Sequence, residues 1–432
     1  MKRQPYPSYQ DSGIEWLGEV PESWHIMRAK YCAKINMGQS PPSDDCNLNG
    51  IGLPFLQGNA EFGPLCPIPK QYCEKARKIA RKGDFLISVR APVGALNIAD
   101  QDYGIGRGLC GITIGNSLLL SSFCWYLLNH VRIQLNFHAT GSTYDAVSAD
   151  DVGNILMLIP PPSEQLAIAT YLDRKTANID VLIATKEQQI KYLQEKHDAL
   201  ISHAVTKGLD PNASMKDTGF EWLGKIPDHW EVVPFKRLTT RIDVGIAEAA
   251  THAYCDEGIP IIRSTNIRPN KITLDDLLHI KEWFAEKNKS KYLLANDLVT
   301  VRTGAPGTTA VVPHELHNSQ CFTLLISTLK PSQDSRYYSY FMNSSSAKYC
   351  FAVEGWGAAQ INISVPIMQQ LIVVKPPGNE QRIIADYLDQ KTNYLDKLVM
   401  KIQKSIDKLH EYRVALISAA VTGKIDVRKE VS

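Results

Sequence analysis

The sequence predicts an α+β protein: two similar domains separated by a long two-helix coiled coil. Three observations lead there. The chain is written twice, each copy carries one long heptad-spaced segment, and the rest of each copy is short apolar runs broken by Gly, Pro, Asn and Ser.

The repeat has two blocks. Asp11, Gly13, Glu15, Trp16, Leu17, Gly18, Pro21 and Trp24 return 206 residues later as Asp217, Gly219, Glu221, Trp222, Leu223, Gly224, Pro227 and Trp230. Glu164, Gln165, Ile168, Ala169, Tyr171, Leu172, Asp173, Lys175, Thr176 and Asp180 return 216 residues later, from Glu380 to Asp396. A period of about 210 residues is the size of a domain, far above a solenoid unit. The end of the second block, Ala199–Ser202 and Ala415–Ser418, leads towards the first block of the next copy, so joining Ser432 to Met1 would recreate the mid-chain junction. The repeat is circular, with a pseudo-two-fold arrangement as its natural geometry.

Residues Ser163 to Thr206 read as one helix about 65 Å long. Pro160, Pro161 and Pro162 end the preceding element, Ser163 is placed to cap, Glu164 sits in the first turn, and Lys207-Gly208 close it. In the second copy Asn379 takes the capping position and Gly423 follows the end. Thr176-Ala177-Asn178 is a candidate break. Leu172, Ile179, Lys186, Leu193 and Leu200 are spaced by seven, with Thr176, Ile183, Ile190, His197 and Ala204 as the complementary seam. Leu388 to Leu416 and Thr392 to Ala420 repeat both rows. The polar seam residues Lys186, His197 and Arg413 are expected to snorkel or fix register. Each helix is too narrow-striped to stand alone, so the two pair. The heptads permit a parallel or an antiparallel pair; the circular repeat suits the antiparallel one. The expected division is 1–162, 163–216, 217–378 and 379–432, with helical spacers as the second and fourth segments.

Between the helices, Phe85–Val89, Gly111–Ile114 and Leu298–Val301 read as strands, and Ser122–Val131 and Ser335–Ser345 as short helices. The two copies share landmarks here. Gly38 matches Gly245, the run from Leu53 to Asn59 matches that from Ile259 to Asn266, and Gly83 to Arg90 matches Asn296 to Arg302.

The 432 residues are 44% hydrophobic with a formal charge of +2, which neither demands nor excludes a polyanionic partner. Nine cysteines without a CxxC pair read as free thiols in a reducing cytoplasm. No signal-peptide run and no stretch of about 18 apolar residues is present, so a cytoplasmic protein without a membrane span is expected. No Walker A pattern, amino-methyltransferase pattern, glycine-rich cofactor fingerprint or hydrolytic constellation occurs. His314 and His317 read as loop histidines rather than metal ligands. No catalytic residue, cofactor or metal is expected; the chain looks like a reader that other subunits use.

The Glu164-Gln165, Ile168-Ala169, Tyr171-Leu172-Asp173 and Thr176 pattern after a Pro-Pro, with the Trp-Leu-Gly and Pro-x-x-Trp blocks at Trp16 and Trp222, resembles type I restriction–modification specificity subunits. The resemblance covers essentially the whole chain. It implies two target-recognition domains, each reading half of a bipartite asymmetric site on double-stranded DNA. It also implies a helical spacer, two copies of a modification (methyltransferase) subunit, and restriction (nuclease/translocase) subunits. The rival reading is a coiled-coil interaction scaffold without nucleic acid.

Base reading needs bidentate donors and acceptors on positioned loops. The candidates are Gln57, Asn59, Arg90, Ser142, Thr143 and Tyr144 in the first domain, and Arg263, Asn266, Arg302, Thr303 and Gln360 in the second. Lys70, Lys75, Lys78, Lys287, Lys289 and Lys291 are candidates for phosphate. The second domain departs at Val244-Gly245-Ile246-Ala247, where the first has Gly38, Gln39, Ser40 and two prolines.

Overall fold

The computed structural model describes residues 4–115, 118–132, 134–135, 147–248, 251–354 and 362–430. They fall into two compact units, Met1–Thr185 with Lys404–Ser432, and Lys186–Gln403. Each unit therefore owns one half of each long helix.

The first unit is built on two sheets. One is four-stranded and antiparallel, in the order Leu96–Ile98, Phe85–Ser88, Leu109–Thr113, Lys34–Met37. The other runs Cys46–Asn47, Gln71–Cys73, Leu53–Leu56, Tyr103–Ile105, Ile79–Ala80, with one parallel pair, Leu53–Leu56 beside Tyr103–Ile105. The second unit repeats the first order in full and the second for four of its five strands, without one at the place of Ile79–Ala80. Thr309–Val311, Leu298–Thr300, Leu325–Leu329 and Thr239–Val244 form one sheet; Tyr254–Cys255, Leu278–Ile280, Ile259–Ile262 and Gln320–Cys321 form the other, again with one parallel pair. The duplication seen in the blocks thus extends through the diverged segments.

The helices are Pro162–Lys207 and Gly378–Val421. Thr176 does not break the first: its hydroxyl donates to Leu172 O at 2.8 Å, four residues back, and the helix continues. Both starts lie earlier than the expected caps. The amides of Glu164 and Gln165 donate to Pro161 O, so Pro162 opens the helix, where its missing N–H costs nothing. In the second copy Gln381 N donates to Pro377 O, which displaces Asn379 from the capping role. The ends are as expected. Gly208 and Gly423 adopt left-handed φ of 76° and 71°, and a Cβ on Gly423 would meet Pro21 at 2.3 Å.

The heptad rows are the least exposed line along each helix, with Leu172, Thr176, Ile179, Ile183, Leu388, Thr392, Leu395, Ile406, Leu416 and Ala420 buried. Inside the first unit Arg174 donates to Glu430 O at 2.7 Å, and Asp180 stands 3.5 Å from Arg413. The unit joins the opening half of the first helix to the closing part of the second, so the pair is antiparallel there. Arg413, a polar seam residue, turns its guanidinium to that carboxylate.

The repeated polar letters are tertiary bonds. Trp24 Nε1 donates to Glu164 at 2.9 Å, and Trp230 Nε1 to Glu380 at 2.8 Å. Gln165, fully buried, accepts from Leu120 N and donates to Leu118 O and Pro160 O. Gln381 accepts from Asp334 N and donates to Pro376 O. Tyr126 OH donates to Asp173 at 2.6 Å, and Tyr340 OH to Asp389 at 2.7 Å. Burial, then the carboxylate beside it, pushes the Tyr126 phenol up to about 12, so it remains a donor at neutral pH. One bond set is not shared. Arg336 reaches Asp334, Asp386 and Asp389, whereas the matching position in the first unit is Ser122.

The first repeated block docks on the helix ends. In the first unit Lys424 Nζ donates to Leu17 O and Glu19 O, Tyr9 OH to Gly423 O, and Asp426 N to Gln4 O. In the second, Lys207 Nζ donates to Leu223 O and Lys225 O, and Gly208 packs on Trp230. The N-terminal segment thus docks in one unit as residues 208–230 dock in the other.

Two outcomes follow from this architecture. Gln165→Leu removes three buried bonds and orphans the groups they satisfied, which should cost roughly 2–5 kcal/mol; a wild-type urea midpoint would mean that the amide does not hold the helix. A circular permutant opened between Pro211 and Met215, with Ser432 linked to Met1, should fold and keep its DNA specificity. Loss of cooperative unfolding despite a long linker would count against the closed repeat.

Candidate nucleic-acid interface

In the first unit, four loops meet at one end of the two sheets. Gly38 N donates to Leu109 O, Gln39 N to Ile105 O, and Gly106 N to Leu56 O. The approach is close: a Cβ on Gly38 would lie 2.1 Å from Gly106 O, and one on Gly108 2.5 Å from Gln57 O. Glycine is required here because backbone crosses backbone. Gly245 repeats the contact in the second unit, where a Cβ would lie 2.3 Å from Cys321 O. The shared glycine therefore anchors the loop, and the residues after it are free to differ.

On this frame Gln57 Nε2 donates to Ser40 Oγ at 3.0 Å, and Arg107 N to the same oxygen at 3.5 Å. Val89 N donates to Gly108 O, which brings Arg90 beside Arg107. Gln39, Gln57, Arg90 and Arg107 are exposed, and among the described residues neither guanidinium makes an ion pair. The structure brings Gln57 and Arg90 together and adds Gln39, Ser40 and Arg107, which sequence reasoning missed. Arg107 sits between two glycines in a run with no counterpart in the other copy, so only the fold reveals it. Asn59 is half-buried on the next turn. Ser142, Thr143, Tyr144 and Gln360 lie outside the described residues.

In the second domain several of the candidate side chains are already bonded within the protein. Asn266 is 2% exposed; it accepts from Arg263 N and donates to Thr273 O and Asp275 O, so it braces its loop and has no edge left for a base. Its true counterpart is Glu61, which accepts from Gly58 N, not Asn59. The first loop is one residue longer, and sequence matching absorbed the extra residue in the wrong place. Arg302 donates to Ile363 O at 3.0 Å and accepts from Ile363 N through its own carbonyl, again a brace. Gly94 N donates to Ser88 O and Gly307 N to Val301 O, so Val89 matches Arg302 and Arg90 matches exposed Thr303. Arg263 is half-buried and donates to Asp276 O. Lys287 pairs with Glu248 and Lys291 with Asp243, which removes both from the free phosphate candidates. His317 Nδ1 accepts from Ala295 N, a loop bond. Where the first unit has Gln39, Ser40 and Arg107, the second has Ile246, Ala247 and Thr323, with the Phe322 ring against Tyr254. The two surfaces share a frame and differ in chemistry.

Residues 21–192 and 242–408 match the type I restriction modification DNA specificity domain. A protein of Methanocaldococcus jannaschii assigned as the MjaX specificity subunit is 38% identical over 193 residues, 44% of each chain. The type I restriction enzyme EcoBI specificity subunit of Escherichia coli is 20% identical over 96% of this chain and 89% of its own. The HsdS subunit from Thermoanaerobacter tengcongensis shares the fold with a TM-score of 0.53 over 94% of this chain and 98% of its own, at 17% identity. A chain solved in a study of type I R-M complex assembly and conformational transition reaches 0.71 over 93% and 98%, at 16% identity. The chain belongs to the type I restriction–modification DNA specificity family, as the non-catalytic subunit that supplies DNA sequence recognition to the methyltransferase and nuclease subunits.

Proposed function

We propose that the four-loop end of each unit reads one half of a bipartite asymmetric DNA site, and that residues 1–162 and 217–378 are the two reading segments, with 163–216 and 379–432 as spacers. The observation that carries this is the cluster of exposed Gln39, Gln57, Arg90 and Arg107 around half-buried Ser40, donors and acceptors without ion pairs among the described residues. An arginine offers guanine a bidentate donor fork; threonine and alanine offer methyl contact to thymine. The first half-site is therefore read by polar pairing and the second by the smaller Ala247, Thr303 and Thr323 surface, with Arg263 at its side. Arg107→Ala should weaken binding by about 1–3 kcal/mol and relax discrimination in one half-site only. Exchanging residues 25–159 for those of a relative should change the same half. Base preferences that shift in both halves would mean that the domains do not read independently.

Two modification subunits are proposed to dock on the parts of the repeat that are kept but exposed. Core packing explains Leu17 and Trp24, yet Glu15 and Glu221, and Asp180 and Asp396, are identical and exposed, and Trp16 is 49% exposed. Equal partners on both copies account for this. A Glu15→Arg/Trp16→Ala variant should hold one modification subunit instead of two by native mass measurement. Two retained copies, in this variant and in the matching Glu221→Arg/Trp222→Ala variant, would remove this surface from the interface.

A further inference from the structure

Strand Cys46–Asn47 lies at the edge of its sheet and pairs only with Gln71–Cys73. In that ladder Cys46 faces Cys73 directly. Glu74 N donates to Asp45 O, so Asp45 and Glu74 form the hydrogen-bonded pair and the cysteines occupy the non-hydrogen-bonded one. Such pairs bring Cα atoms to about 4.5 Å with side chains close, inside the range of roughly 4.4–6.8 Å that a disulfide spans. Both thiols are free; Cys73 is fully buried, and Cys46 is partly open to solvent.

We infer that Cys46 and Cys73 form a reversible redox site that tightens the loop of residues 38–45 in the first DNA-reading surface. This loop carries Gln39 and Ser40. Its near end is held by Gly38 on Leu109 O. Its far end rests on a two-residue edge strand with one neighbour in the sheet. A covalent link there closes the loop between two fixed points. The second unit has no such option: at the matching ladder position Tyr254 faces Ile280, and Cys255, one residue on, faces His279.

The oxidant is a low-molecular-weight disulfide. The Cys46 thiolate attacks one of its sulfurs, breaking the S–S bond and releasing one thiolate. Cys73 attacks Cys46 Sγ and displaces the second thiolate, which takes up the Cys73 proton as it leaves. Two protein thiols are oxidised and the small disulfide is reduced to two thiols. Burial and the adjacent Cys73 hold the Cys46 thiol above its ordinary range, so the thiolate fraction is small at neutral pH and the reaction accelerates as pH rises.

The inference rests on the proposed reading of the loop, and the test separates the two. The full chain with its modification subunits is treated with oxidised glutathione and mapped by non-reducing peptide mass spectrometry, which needs no DNA. A Cys46–Cys73 linked peptide is expected, faster at higher pH and absent in Cys46→Ser. Binding is then titrated on duplexes altered in one half-site at a time. Oxidation should tighten first half-site binding about three- to tenfold by preorganising the loop, leave the second unchanged, and do nothing to Cys46→Ser. Free, alkylatable Cys46 after treatment overturns the site. A linked peptide without a shift confined to the first half-site overturns its regulatory role.

Discussion

The structure depends on one buried polar contact made twice: an indole N–H from the start of each domain held by a carboxylate in the first turn of a long helix. Trp24 and Trp230 are fully buried, and their Nε1 atoms end on Glu164 and Glu380. A buried indole donor without an acceptor is costly, and so is a buried carboxylate without donors. Each satisfies the other only in one register. The bond therefore fixes where the helix begins relative to the strands. Gln165 and Gln381 extend the fixation to the short helices Ser121–Val131 and Ser335–Asn343 through Leu120 and Asp334. A reading surface can be directed by a distant helix only if that joint is rigid.

The two joints are alike but not equal. Glu164 is 3% exposed, whereas Glu380 keeps a third of its side chain in solvent and takes a second bond from His229, where the first copy has Ser23. Arg336 adds three carboxylate contacts that Ser122 cannot make. The second unit compensates with charge for burial that the first achieves by packing. Partly exposed ion pairs contribute modestly, so they serve to hold orientation more than to hold the fold.

At the other end of each domain the logic reverses. Glycines at 38 and 245 let backbone cross backbone, and braces such as Glu61, Asn266 and Arg302 hold the loops by their own main chains. With the frame satisfied internally, Gln57 still ties its loop to Ser40, while Arg90 and Arg107 make no ion pair among the described residues. Arg90 and Arg107 can differ from the exposed Thr303 and Thr323 without cost to folding, whereas Ile246, at the position of Gln39, is buried in a core cluster of its own unit.

The sequence by itself determined the duplication, the circular order, the two heptad helices and their closing glycines, because these depend on spacing along the chain. It also located the landmarks around which the loops are built, and it carried the family. It misplaced the helix starts, since a proline is tolerated at the first helical position of the first helix and in both helices the acceptor lies two residues earlier than the side-chain cap predicts. Which candidate side chains are already bonded and which stay open was decided only by tertiary structure. Asn266 and Arg302 have the chemistry of base readers, yet Asn266 is bonded within its own loop and Arg302 to Ile363, far along the chain; Arg107 has no motif around it and becomes visible only when three other loops arrive beside it. The physical reason is that a side chain's hydrogen-bonding capacity is written in its type, while whether that capacity is already spent is settled by what folds against it.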